Sequence, residues 1–177
     1  YNADERVKAL YSAHPTLLND IETSLGCVLR NEEGEFVPAR LAARIFPDPL
    51  ALQKVESLVF PALIEDFKAF ADAHDEEDII VFESATILEK PQFDGFGDVV
   101  VLVDAPYEVR LGRACARDGA DPAAVEARMK NQKLMNMLSE GGHDPRIDAV
   151  IMNDSDMDEL KNRTMETMTV LFGDWKR

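Results

Sequence analysis

Cysteine is scarce in this sequence, and long apolar runs are missing from it. The chain has 177 residues and only two cysteines, Cys27 and Cys115, which lie far apart and show no metal-binding spacing. Two reduced thiols of this kind are usual in the cytoplasm. No apolar run approaches the ~20 residues that a transmembrane helix needs, and the first residues show no signal-peptide pattern. These absences exclude a disulfide scaffold and predict a soluble, cytoplasmic protein that has no membrane partner.

Positive charge is also in short supply. The sequence has 19 Lys and Arg against 34 Asp and Glu, which gives a net charge of -15. A field of this sign repels a phosphate backbone, so we expect no nucleic-acid partner. A site for a small phosphorylated molecule would have to gather its own cations. The hydrophobic share of 46% is that of a folded protein, and the length allows one core with a small appended subdomain.

The first 75 residues are predicted to be mostly helical. Apolar residues recur at helical spacing over 4–13, 15–25, 38–46 and from 48 to about 72. Gly26 is a typical helix stop, and Asp48 followed by proline is a typical helix start. Pro61 is expected to kink or break the last of these helices.

The pattern then changes to short β-branched runs, at 79–82, 99–103 and 149–152. Because these runs are continuous and do not alternate, they are typical of strands buried on both faces of a parallel sheet. Helical stretches separate and follow them, at about 107–117, 122–139 and 156–172. This order predicts a doubly wound α/β fold. Three strands are fewer than usual, so either the sheet is small, or a strand has been taken for a helix, or strands precede Tyr1.

Polar residues stand at the ends of these runs: Glu83, Asp104 and Asn153. Ligands of open parallel sheets bind beyond the carboxyl ends of the strands, so the three residues mark a candidate binding edge. Strands also end in polar residues simply because they reach the surface. Trp175, near the end of the chain, is expected to cover an edge of the sheet.

Arginine is concentrated in one predicted helix. Arg110, Arg113 and Arg117 are spaced so that they share one helix face. More cations follow on the next helix: Arg128, Lys130 and Lys133. The planar guanidinium group suits phosphate, so the run fits a lid that closes over a nucleotide. The spacing by itself favours the alternative, an exposed helix face balanced by nearby acids such as Asp118.

Several blocks, taken in order, resemble the bacterial dephospho-CoA kinase family. They are Tyr1–Asp4, Gly34–Phe36 with Leu41 and Ile45-Phe46, Val99–Asp104 with Arg113, Arg117-Asp118 and Gln132, and Ala149–Asn153. The resemblance implies a P-loop NTPase-like, doubly wound parallel sheet that lacks its first strand and P-loop, with a helical substrate subdomain. Residues 1–75 would be the helical subdomain for the CoA substrate. Residues 76–177 would be the α/β nucleotide-binding core, with a lid at about 110–135.

The resemblance also implies a reaction, in which the γ-phosphoryl group of ATP passes to the ribose 3′-hydroxyl of dephospho-CoA. The product is coenzyme A, and the cofactors are ATP and Mg²⁺. Asp4 would be the general base and a candidate Mg²⁺ ligand, and it is also a candidate helix N-cap. Arg113 and Arg117 would neutralise phosphoryl charge, and Asn153 would lie near the adenine. Further substrate- or ATP-binding residues would be Lys8, Arg40, Glu89 and Gln132.

The chain departs from the family pattern at several positions. No Gly-x-x-x-x-Gly-Lys-Ser/Thr loop occurs in it, so we expect this polypeptide alone to be inactive and the loop to lie about 20 residues upstream of Tyr1. Asn2 replaces the first Asp of the family's motif, and Phe60 replaces a His. Pro38 stands in the place of an Arg, for which Arg40 is the candidate substitute. Two alternatives stay open: another P-loop kinase, acting on a nucleotide or nucleoside, and a non-catalytic binding module.

Overall fold

The chain divides into two units, Tyr1–Ala85 and Thr86–Arg177. The computed structural model describes residues 1–130 and 132–173. The prediction that Trp175 covers an edge of the sheet concerns a residue outside the described ranges.

Four helices form the first unit: α1 (Ala3–Ala13), α2 (Leu17–Leu25), α3 (Pro38–Ile45) and α4 (Pro49–Asp72). Their ends follow the local signals in the sequence. Gly26 ends α2 with φ of 63°, a left-handed conformation that glycine adopts without steric cost. The Asp48 carboxylate accepts hydrogen bonds from the Leu50 and Ala51 amides at 3.0 and 3.1 Å, which caps α4. Both predictions are confirmed.

Helix α4 runs through Pro61 as one element of 24 residues. Of the kink or break expected at this proline, the break is wrong, and the kink stays a prediction. A proline inside a helix removes one backbone hydrogen bond and crowds the preceding turn. In α4 the apolar face on either side of Pro61 is buried, at Val55, Val59, Ala62 and Leu63. Burial of this stripe offsets the local cost and keeps the helix continuous.

The core of the first unit lies where α2 packs on α4. Helix α2 contributes Leu17, Leu18, Ile21 and Leu25, which are all buried. Ile21 and Leu29 are among the largest fully buried side chains of the described residues. Burying an aliphatic side chain of this size contributes about 1.5–3 kcal/mol, so each of these residues adds substantially to the unit's apolar stabilisation.

The two ends of the first unit pair in parallel. Asn2 bridges Glu83, the Ala3 amide donates to the Glu83 carbonyl at 3.0 Å, and the Glu83 amide donates to the Tyr1 carbonyl at 2.8 Å. The prediction that the run at 79–82 is a strand is wrong, because the isolated bridge lies at Glu83, the residue after the run. The paired stretch is too short to extend into a ladder. Side-chain contacts reinforce it, because the Tyr1 ring stacks on Phe82 with centroids 5.3 Å apart.

Over its described residues, the second unit contains two 3₁₀ turns, two strands and four helices. In chain order they are the turns Ile87–Glu89 and Pro91–Phe93, β1 (Val101–Asp104), α5 (Tyr107–Asp118), α6 (Pro122–Met129), α7 (Lys133–Ser139), β2 (Ala149–Met152) and α8 (Met157–Phe172). Strands β1 and β2 pair in parallel, with Val101 opposite Ala149 and Asp104 opposite Met152. The protein is thus mostly helical, with a small parallel sheet.

Burial on both sheet faces is not found for every strand residue. Val103 is 56% exposed and Val150 is 52% exposed, whereas Ile151 is buried. The sheet has two strands, so within residues 1–130 and 132–173 each strand has one neighbour and one open edge. The continuous apolar runs predicted the strands correctly, and the expected burial of both faces is wrong at these two valines.

The helix predicted over 122–139 is two helices, α6 and α7, so the single element is wrong. A contact that is distant in sequence lies at the start of the second helix. A Glu89 carboxylate oxygen accepts a hydrogen bond from the Leu134 amide at 3.0 Å, which satisfies a donor in the first turn of α7. This contact supports a new helix start at Lys133.

In the part of the chain that the structure describes, no helix combines the length and apolarity that crossing a bilayer requires.

Candidate active site

Asp4 lies in the first turn of α1 and is exposed. The prediction that Asp4 caps this helix is wrong, because the Asn2 side chain accepts the hydrogen bond from the Glu5 amide at 3.0 Å. The Asp4 carboxylate is therefore not used by the cap. It lies at the helix N-terminus, where the helix dipole favours negative charge. It makes no ion pair or side-chain hydrogen bond with any described residue.

Lys8 lies one turn beyond Asp4 on α1 and is also exposed. Residues four apart share a helix face, so the structure brings this carboxylate and this ammonium group to one side of α1. Like Asp4, Lys8 has no ion-pair partner among the described residues. The pair presents one acid and one cation to solvent.

Arg40 is engaged elsewhere in the first unit. From α3 its guanidinium donates to the Arg30 carbonyl, and Arg30 in turn pairs with Glu22 and with the Asn19 side chain. Arg40 thus ties α3 to the turn that precedes it. Within the described ranges, no hydrogen bond or ion pair joins Arg40 to Asp4 or Lys8, so the structure does not bring the three predicted residues together by contact.

In the second unit, the carboxyl ends of β1 and β2 meet at one edge of the sheet. The Asn153 amide donates to the Asp104 carbonyl at 2.6 Å, which confirms that these two polar residues share an edge. Arg113 comes from α5, and its Nη1 donates to the Asn153 carbonyl at 2.7 Å. Two residues predicted to contact ATP, Arg113 and Asn153, are therefore in direct contact. The Asn153 side-chain amide has no hydrogen-bond partner among the described residues.

The other arginines of α5 have separate partners. Arg110 Nε donates to the Ala105 carbonyl at 2.9 Å and lies 3.7 Å from an Asp104 carboxylate oxygen, so it supports the turn between β1 and α5. Arg117 pairs with Asp118 at 2.7 Å. The three arginines of α5 therefore bind three different partners and do not converge on one group.

Asp118 holds two arginines at the junction of α5 and α6. Arg117 and Arg128 each approach its carboxylate to 2.7 Å. The hydrogen bond from Arg117, and then that from Arg128, lowers the pKa of Asp118 to about 2. Two guanidinium groups on one carboxylate leave a net positive charge, which is the local cation concentration that a phosphate would need in so acidic a chain.

Glu89 and Gln132 both lie at the start of α7. Gln132 is the residue that precedes the helix, and Glu89 accepts from the amide of Leu134. The Glu89 carboxylate therefore has a structural partner, although its residue is exposed. The structure thus places both predicted residues at the same helix end, although no hydrogen bond joins them within the described ranges.

The chemistry of Asp4 fits one mode of magnesium binding. Among the described residues, no group of three or more His, Cys, Asp or Glu side chains could form a metal cage. Mg²⁺ commonly binds through one or two carboxylates together with waters and substrate phosphates. A single exposed carboxylate with no partner is compatible with that mode.

Comparison with known proteins identifies the family. Residues 2–159 match the family model described as dephospho-CoA kinase (CoaE). The chain belongs to the dephospho-CoA kinase family. The match includes the five predicted site residues of the second unit as well as Asp4, Lys8 and Arg40.

Relatives and a solved structure agree with this assignment. A dephospho-CoA kinase of Porphyromonas gingivalis is 33% identical over 144 residues, which are 81% of this chain and 70% of the relative. One of Bacteroides fragilis is 29% identical over 160 residues, 88% of this chain and 73% of the relative. The structure of a dephospho-CoA kinase from Campylobacter jejuni covers 96% of this chain and 83% of its own, with a TM-score of 0.61 and 17% identity. At that identity, the last likeness concerns the fold.

Sequence reasoning missed one arginine that contacts the candidate edge. The match to the dephospho-CoA kinase family model ends at residue 159, and Arg163 follows on α8. It contacts the Met152 carbonyl, Asp154 and Glu159. The spacing of Glu159 and Arg163 on a helix could have signalled that pair. Nothing local signals the contact with the end of β2.

Proposed function

We propose that the protein transfers the γ-phosphoryl group of ATP to the ribose 3′-hydroxyl of dephospho-CoA and so forms coenzyme A. The observation that carries this proposal is the match to the dephospho-CoA kinase family over residues 2–159. The free carboxylate of Asp4 supports it, because the reaction needs a base and this carboxylate has no other partner among the described residues. Cytoplasmic location stays a prediction from the sequence.

Asp4 is the proposed general base. Its carboxylate would accept the proton of the ribose hydroxyl and orient the oxygen for in-line attack on the γ-phosphorus. It is also the proposed ligand for Mg²⁺, which when bound neutralises charge on the phosphate oxygens. Lys8 shares a helix face with Asp4 and supplies a cation for the anionic acceptor. Arg40 is also a proposed contact for dephospho-CoA, and in the structure its guanidinium donates to the Arg30 carbonyl.

The second unit is the proposed ATP side. Arg113 and Arg117 would neutralise the transferring phosphoryl group, and Asn153 would contact the adenine through its free side-chain amide. Glu89 and Gln132 would act near the start of α7. In this proposal residues 1–75 bind the acceptor, and 76–177 form a P-loop NTPase-like core whose lid covers about 110–135. The contact of Arg113 with Asn153 supports a shared ligand edge.

The test is release of ADP from ATP when dephospho-CoA is added, measured with the 177-residue chain and with the product of the whole gene. We expect the 177-residue chain, in which no P-loop occurs, to be inactive. We expect turnover from the product of the whole gene, and it should fall about 10²- to 10⁴-fold in Asp4→Asn, the range typical of a general base. Glu5→Gln is the matched control, because Glu5 is the neighbouring exposed acid and contributes only its backbone amide to the cap.

Each other outcome points to a different function. Turnover with a nucleotide or nucleoside acceptor but none with dephospho-CoA would indicate a different kinase. Equal losses in Asp4→Asn and Glu5→Gln would reject Asp4 as the base. A folded protein that releases no ADP with any of these acceptors would indicate a binding module.

A further inference from the structure

The backbone of Asn153 is held at both of its polar atoms. Its amide donates to the Asp104 carbonyl at 2.6 Å, and its carbonyl accepts from Arg113 at 2.7 Å. The side-chain amide is the remaining polar group, and it makes no hydrogen bond with a described residue. Whatever fixes this short stretch also fixes the direction in which the Asn153 side chain leaves the backbone, and so limits where its amide can lie.

Arg163 reaches the stretch from α8. Its Nη1 donates to the Met152 carbonyl at 2.7 Å and to an Asp154 carboxylate oxygen at 2.6 Å. Its Nε donates to Glu159 at 2.9 Å. One guanidinium group therefore binds the residues immediately before and after Asn153, and the bond to Glu159 sets its own direction on the helix.

The chemistry of arginine suits this task. A guanidinium group is planar and presents several donors in fixed directions, whereas an ammonium group is a compact point charge on a flexible stem. Hydrogen bonds that join charged groups are shorter and stronger than neutral ones. The side chain is also partly withdrawn from solvent, with 31% of its surface exposed. These contacts restrain two neighbours of Asn153 at once.

We propose that Arg163 is a positioning residue for adenine recognition. By fixing Met152 and Asp154, it holds the Asn153 amide in the orientation that pairs with the base. An amide both donates and accepts, as does the N6/N7 edge of adenine, so the two can form a double hydrogen bond. The inference rests on the proposed role of Asn153 at the ATP side. Arg163 itself lies beyond the part of the chain that matches the family.

The experiment compares Arg163→Ala with Lys161→Ala. Lys161 is the matched control, since it also lies on α8 and pairs with an acid, Asp158 at 3.4 Å, but it does not contact residues 152–154. The readouts are KM for ATP, for GTP and for dephospho-CoA, kcat, equilibrium binding of ATP and GTP, and thermal unfolding. We expect KM for ATP to rise about tenfold in Arg163→Ala, as for the loss of one well-made hydrogen bond.

Base preference is the readout that a merely structural role would not move. In Arg163→Ala the preference for ATP over GTP should fall by a similar factor, while KM for dephospho-CoA and kcat stay within twofold of wild type. Arg163→Lys should restore part of the preference, because it keeps one donor to the loop. Asn153→Ala should remove the preference, and adding Arg163→Ala to it should cost little more, since both act through one group.

Several results would overturn the inference. An unchanged ATP preference in folded Arg163→Ala would do so, as would an equal effect of Lys161→Ala. A loss of kcat together with affinity for both substrates and thermal stability would indicate a structural role. If Arg163→Ala does not fold, Asp154→Ala removes one of the three groups that accept hydrogen bonds from Arg163, and an unchanged KM for ATP in that variant would overturn the proposal.

The wild-type protein separates this inference from the proposed function. If it prefers ATP to GTP in binding but does not phosphorylate dephospho-CoA, the proposed function alone is rejected. If it has no preference for ATP over GTP, this inference is rejected.

Discussion

The two units of the chain differ in the balance between apolar burial and contacts made by arginine. In the first, buried aliphatic side chains such as Leu18, Ile21 and Leu63 join α2 to α4. In the second, arginines bind carbonyls and carboxylates of the loops beside a small, partly exposed sheet, as Arg146 and Arg163 do. Apolar burial is non-directional, whereas these polar contacts fix loop geometry. The difference separates a unit held mainly by apolar packing from one whose loops are fixed mainly by directional polar contacts.

The largest effect is expected from a cavity in the first unit. Ile21 has 0% of its surface exposed, so Ile21→Ala removes buried methyl and methylene groups and leaves a void. We expect the free energy of unfolding to fall by about 2–5 kcal/mol, measured by urea denaturation. Val28→Ala is the control, because Val28 is 70% exposed and should change the same quantity by under about 0.5 kcal/mol. Equal effects would contradict the packing described for α2.

A smaller effect is expected from Asp144, a buried charge in the second unit. Its carboxylate accepts from Arg146 Nε and Nη2 at 3.0 and 2.7 Å, and 6% of the residue is exposed. Asp144→Ala leaves the guanidinium without its buried partner, which should cost about 1–3 kcal/mol of unfolding free energy. Asp94 pairs with the same arginine at the surface, so Asp94→Ala should cost under about 1 kcal/mol. The reverse order would show that the exposed pair dominates.

The same carboxylate predicts a pH dependence. Side-chain hydrogen bonds from Arg146, followed by that from its backbone amide, lower the pKa of Asp144 to about 2, against an ordinary value of about 4. A lowered pKa stabilises the fold fully above pH 4, and this contribution is lost as the pH falls through 2. The difference in unfolding free energy between wild type and Asp144→Asn should therefore shrink from pH 5 to pH 2. A constant difference would reject this assignment.

The smallest effect is expected at the start of α7. Glu89→Ala removes the acceptor for the Leu134 amide, which should cost about 0.5–2 kcal/mol, as loss of a helix cap does. Amide hydrogen exchange at Leu134 should accelerate while exchange within α4 stays unchanged. Glu140→Ala is the control, because that exposed acid follows α7 at its other end. Similar acceleration in both variants would mean that the cap is not the cause.

Local sequence signals predicted the first unit well and the second only in part. The Asp48 cap and the stop at Gly26 depend on residues adjacent to the helix end, so they could be predicted. The run at 79–82 has the composition of a strand, but a strand also needs a partner of matching length, which local composition does not specify. The second helix within 122–139 begins at a contact with Glu89, more than forty residues before Leu134.

The contacts of the candidate site also divide into those that the sequence predicted and those that it did not. The rule that parallel strands end at one edge was enough to predict that Asp104 and Asn153 meet. Asn2 as the cap of α1 was missed because two adjacent polar residues compete for that position, and only the backbone decides between them. The contacts of Arg163 with the end of β2 follow from the packing of α8 and could not be predicted from its spacing.

The pairing of residues 1–3 with residue 83 closes the first unit into a loop of about eighty residues. The entropy cost of closing a flexible loop rises slowly, by about 0.6 kcal/mol for each doubling of its length. Extra residues in an exposed turn such as 32–34 should therefore barely weaken this closure. Helical contacts between near neighbours form quickly, whereas joining distant segments is slow. The ends of this unit should accordingly join last during folding, after its helices have packed.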